Sequence, residues 1–147
     1  MATQTETKIV ESLFAELAAL ALTPPLPIAL PNLDFTPPAD EKWLRVSEAP
    51  SPILPAALAP AGPAYLAITP GARDYNGTIQ VDVVWPQRTG ITAPKEVAGA
   101  ITAHFSPAKA IYGDGVKVKV IRSHVGAKVD EASRIYLPVT IQYRAFA

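Results

Sequence analysis

Residues 78–86 read Thr-Ile-Gln-Val-Asp-Val-Val-Trp-Pro, and the fold turns on this stretch. Ile79, Val81 and Val83 fall on one side of an extended chain and Thr78, Gln80, Asp82 and Val84 on the other, the period-two pattern of a strand. Pro86 stops the strand, because proline has no donor for the ladder. Just ahead stands Asn76-Gly77, the dipeptide best suited to a tight turn because both residues tolerate positive φ. With Thr78 it also spells a glycosylation acceptor, but no secretory signal precedes it, so the turn reading is preferred.

Downstream, Gly90 leads into Thr92-Ala-Pro-Lys-Glu, a helix start with Thr92 as cap and Pro94 tolerated in the first turn. Val97, Ile101 and Phe105 recur every four residues beside the small Ala98 and Ala100, so this helix should pack on the sheet until Pro107 closes it. Alternation then returns. Val116, Val118 and Val120 oppose Lys117, Lys119 and Ile121, and Val139, Ile141 and Tyr143 oppose Thr140, Gln142 and Arg144. Two long antiparallel strands are predicted, with Gly113-Asp114-Gly115 turning into the first and residues 126–133 linking them. Pro138 cannot donate to a ladder and marks a bulge or an edge position.

Upstream, Ile9, Val10, Leu13, Phe14, Leu17 and Leu20 line one face of an amphipathic helix over about residues 5–21, capped by Thr5 or Thr3 and ended by Thr23-Pro24-Pro25. Residues 24–70 hold twelve of the sixteen prolines and one glycine, Gly62, a composition that favours stiff extended backbone. Two short strands fit there, at 43–47 and 64–69. Between them, a proline-rich arm at about 49–63 carries Ile53, Leu54 and Leu58, an unusual apolar content for a loop that meets only water, which suggests docking on a partner. These elements predict a single α+β domain over residues 1–147, a mainly antiparallel or mixed sheet of about four to five strands packed against two helices.

Composition narrows the function. The absence of cysteine excludes disulfides, thiolate nucleophiles and cysteine-ligated metals. Glu11 and Glu16 interrupt the most apolar N-terminal stretch, so no signal peptide is expected, and Pro24, Pro25 and Pro27 cut it off short of a membrane span, so a soluble protein is expected. The 13 basic and 13 acidic groups cancel, which argues against a protein devoted to binding phosphate backbones. Residues 1–70 nevertheless hold three basic and seven acidic groups, and residues 71–147 ten and six, a net of minus four against plus four. Chance segregation of solvated charge explains this as well as contact between the halves of neighbouring subunits does.

No residue set announces catalysis. His104 and His124 lack a second ligand at metal spacing, and Ser123-His124 sits on a strand, where adjacent side chains point to opposite faces. Asp130 and Glu131 read as solvated charge, and Gly113-Asp114-Gly115 lacks the phosphate-loop spacing. No cofactor or metal is therefore expected. Lys117, Lys119 and Arg122, with Lys128 and Arg134 close in sequence, make a basic cluster, either an edge kept unpaired by lysine or a subunit interface or lumen lining.

The ordered set of an amphipathic helix, Ile28-Ala-Leu-Pro-Asn32, Phe35-Thr-Pro37, Trp43-Leu-Arg-Val46, residues 77–86, a Gly90 turn, a helix ending in Phe105, and Leu137-Pro-Val-Thr-Ile-Gln-Tyr143 resembles the tail-terminator-like proteins of long-tailed bacteriophages and gene-transfer particles. The insertion at roughly 49–63 departs from that pattern. The resemblance implies a virion structural protein that is not an enzyme. It implies a homohexameric ring that caps the head-proximal end of the tail tube, stops tube polymerisation and docks to the head connector, with genome DNA passing through unread. Lys117, Lys119, Arg122, Arg134, Ile53, Leu54 and Leu58 are then the candidate interface or lumen residues. Two other readings fit the size and composition: another connector or completion ring protein, or a small-molecule-binding module or hydrolase with Trp43, Trp85 and Tyr112 lining a pocket.

Overall fold

In the computed structural model, which describes residues 4–22, 25–50, 74–113 and 115–146, the strand at residue 78 is longer than its alternation suggests. In chain order the elements are α1 (Thr5–Ala18), β1 (Ile28–Ala29), β2 (Trp43–Pro50), β3 (Asp74–Pro86), α2 (Thr92–His104), β4 (Ala110–Tyr112), β5 (Lys117–Val125), β6 (Val129–Asp130) and β7 (Arg134–Phe146). They make one curled mixed sheet of seven strands, more than the expected four to five, in the order β1-β2-β3-β7-β5-β4 with β6 also on β7. The surplus comes from two- and three-residue strands, too short to show a periodicity. One pairing is parallel, β1 on β2; all others are antiparallel.

Asn76-Gly77 is strand, not turn. Asn76 pairs with Arg144 and Gly77 with Tyr143, so the ladder with the thirteen-residue β7 carries extended backbone back to Asp74. Tertiary pairing here outweighs a local turn preference. Pro138 also departs from expectation, since β7 lies between β3 and β5. Its carbonyl accepts from the Gly126 amide at 2.7 Å, so its donor-less nitrogen faces the same side, just where β5 has ended at Val125. The missing donor therefore falls in a gap of the ladder. The register shift in β5 is at Val120/Arg122 instead.

The helices also differ in detail. Helix α1 ends at Ala18, and its N-cap is Gln4 without a side-chain cap bond; α2 has Ile91 at the N-cap, not Thr92. Gly90 has φ +93°, a left-handed conformation that favours glycine. The expected strand at 64–69, the arm residues 51–63 with Ile53, Leu54 and Leu58, and Asp114 of the expected turn lie outside the described residues.

Both helices cover the same face. Ile9, Leu13 and Leu17 of α1 and Ala98 and Ile101 of α2 join Ile79, Val81, Val83, Leu137, Val139 and Ile141 in one buried core. Each large side chain so buried contributes about 1.5–3 kcal/mol. At their C-terminal ends the helices are tied together: Glu16 forms an ion pair with Lys109, its carbonyl and carboxylate lie 2.9 and 3.1 Å from His104 Nε2, and Lys109 Nζ donates to the His104 carbonyl at 2.9 Å.

Candidate interaction surfaces

Because the helices occupy one face, every second residue of the central strands points away from them. The ladder register sets these residues in rows. Tyr112, Lys117 and Phe146 stand across β4, β5 and β7; Ala110, Lys119, Arg144 and Asn76 form the next row. Beyond the bulge come Arg122, Gln142 and Thr78, then His124, Thr140, Gln80 and Ser47. Among the described residues this part of the face is open and carries an excess of positive charge.

At its other end the open face is closed by aromatic packing. Trp43, Val84 and Tyr136 form a small buried cluster against Phe35 and Ala29. Asp82, 4% exposed, lies beside this cluster and is held by Arg45, whose Nε and Nη2 donate to Oδ2 at 3.1 and 2.8 Å, and by Gln80 Nε2, which donates to Oδ1 at 2.8 Å. Arg45 also lies 4.3 Å over the Tyr136 ring, and Arg134 lies 5.2 Å over Trp43. Burial alone would lower the Arg45 pKa, but the hydrogen bonds and charge of Asp82, helped by Tyr136, carry it above the ordinary arginine value. Burial raises the Tyr136 hydroxyl pKa, and so does Glu131, whose carboxylate accepts a hydrogen bond from the hydroxyl at 2.8 Å.

The predicted basic cluster is thus divided. Lys117, Lys119 and Arg122 share the open face, with Arg122 Nε donating to Gln142 Oε1 at 2.6 Å. Arg134 begins β7, whereas Lys117 pairs with Phe146 at its end, a separation of roughly 40 Å along the strand. Lys128 is engaged by Asp130 at 3.0 Å. Sequence reading missed Arg144 and Phe146, which complete the basic and aromatic patch; only the strand register reveals them.

A second feature lies on the helix face. A cavity of about 570 Å³ opens between α1, the loop after β1, and the ends of β2, β3 and β7. Its apolar lining includes Val10, Phe14, Leu30 and Leu33; three carboxylates, Glu6, Glu11 and Glu48, belong to it, and no lysine, arginine or histidine does. Tyr143 is buried at its base, and that burial, with the charge of Glu48, raises the pKa of its hydroxyl.

Residues considered for chemistry are not brought together. Ser123 Oγ donates to the Phe105 carbonyl at 2.8 Å under α2, whereas His124 points to the open face. Among the described residues, no three His, Asp or Glu side chains converge as metal ligands. Trp43 and Trp85 sit in different clusters and Tyr112 is 72% exposed, so these three do not line one pocket. No helix among the described residues is long and apolar enough to cross a membrane.

No curated protein matches the chain. Among solved structures, one whose name carries no functional description aligns with a TM-score of 0.75 and 27% identity, over 97% of this chain and 96% of its own. A family model described as phage tail terminator protein matches residues 8–143, from the second turn of α1 to near the end of β7. That match takes in every strand of the sheet and both helices, and it makes this chain a member of the phage tail terminator protein family, a family of tail structural proteins.

Proposed function

We propose that the protein assembles into a ring, six copies in the simplest form, that caps the head-proximal end of the tail tube. The ring stops tube polymerisation and presents a docking face to the head connector, while genome DNA passes through its opening. The observation that carries this reading is the family match over residues 8–143, with one fold running through both helices and all seven strands. The distribution of charge supports it, since a ring needs two different surfaces on each copy that fit one another. The open face supplies a basic surface and the α1 groove an acidic one.

Immuno-gold labelling of particles tests the location. Label at the head–tail joint fits the terminator reading; label confined to the head, or to the tail tip, excludes it. A connector or completion ring has no observation here that favours it over the terminator.

A further inference from the structure

We infer that neighbouring copies join through the α1 groove of one and the Tyr112–Lys117–Lys119 strip of the next. The inference rests on the ring reading and deepens it by naming the two surfaces. The strip is apolar as well as basic. Tyr112 is 72% exposed and Phe146 41%, and both flank Lys117 in one row across β4, β5 and β7. Exposed aromatic surface gains by leaving water, and a phosphate backbone offers nothing to cover it.

Charge makes the same point. Lys119 stands directly opposite Arg144, which sets a second cationic residue beside it on the strip. Among the described residues Lys117 and Lys119 meet no carboxylate; Lys117 only lies 5.8 Å over the Tyr112 ring. The groove is the complement. Its floor is apolar, its volume of about 570 Å³ admits large side chains, and among the described residues none of Glu6, Glu11 and Glu48 makes an ion pair. Leu33 at its margin is 65% exposed, an apolar side chain left in water unless something covers it.

The groove lies on the helix side of the sheet and the lysine strip on the other, with Asn76 at the sheet's end belonging to both surroundings, so a single copy cannot seat its own strip in its own groove. Repeated between copies, the contact is head-to-tail, and head-to-tail contacts with a constant rotation close into rings.

Reciprocal charge reversal tests the inference. Lys117→Glu with Lys119→Glu in one protein, and Glu6→Lys with Glu11→Lys in a second, should each raise the concentration for half-assembly by about tenfold or more, most strongly at low salt. Mixed in equal amounts, the two proteins should recover assembly, because each reversed surface then meets its complement. Sedimentation velocity reads all three samples, and circular dichroism checks folding. Wild-type assembly with both variants unimpaired, or with no recovery on mixing, overturns the contact and leaves the ring intact. Unimpaired assembly of the lysine variant with weaker retention of duplex DNA would place the strip at the opening and likewise overturn it. A wild-type protein that stays monomeric in solution and on isolated tails overturns the ring reading itself.

Discussion

The ion pair under the open face has two unequally buried partners, so removing each should cost a different amount. Asp82 has 6% of its side chain exposed and Arg45 49%. In Arg45→Met an unbranched apolar stem is kept but the guanidinium over Tyr136 is lost, and the carboxylate stays buried with only the Gln80 amide to bond. Losing one partner of a buried pair costs roughly 3–5 kcal/mol, and the half-exposed arginine places this change at the lower end, about 3 kcal/mol. Asp82→Ala instead frees a guanidinium that turns to water. Its cost is about 1 kcal/mol for the lost charge-assisted bonds near the surface. For a domain of this size each kcal/mol moves Tm by about 2–4 °C, so the expected losses are roughly 6–12 °C and 2–4 °C. Urea denaturation of both variants and of the double variant supplies the cycle. An Asp82→Ala loss equal to or greater than that of Arg45→Met refutes the reasoning.

Other substitutions separate stability from assembly. Leu13→Ala, at a fully buried position of α1, should cost about 3 kcal/mol in denaturant unfolding, whereas Leu33→Ala should leave unfolding within about 0.5 kcal/mol and weaken assembly instead. Tyr143 has a raised pKa in the fold, so above about pH 10 the unfolded chain releases a proton that the folded chain retains, and stability falls with rising pH. Tyr143→Phe should flatten that alkaline decline in Tm, and an unchanged slope would count against the assigned cause.

Much of the fold was readable because periodicity survives in long elements. Ile79, Val81 and Val83, and Val139, Ile141 and Tyr143, declared a buried face, and Leu13, Leu17, Ala98 and Ile101 declared the helix faces that meet it. What escaped depends on partners distant in sequence. Asn76-Gly77 looked like a turn because its pairing with Arg144 and Tyr143 is invisible locally. Pro138 looked unfit for a central strand because the ladder gap beside Gly126 is set by where β5 ends. The surfaces show the same limit. Lys117 and Lys119 were legible as one face, but their neighbours Arg144 and Phe146, and the meeting of Glu6 and Glu11 with Glu48, come from strand register and helix placement.

Tail length tests the central claim most directly. Particles made without this protein should carry tails, or release tubes, of broadly scattered and excessive length, and purified protein added to polymerising tube should arrest growth and restore head joining. Electron micrographs showing tails of uniform, normal length joined to heads in the protein's absence would contradict the account.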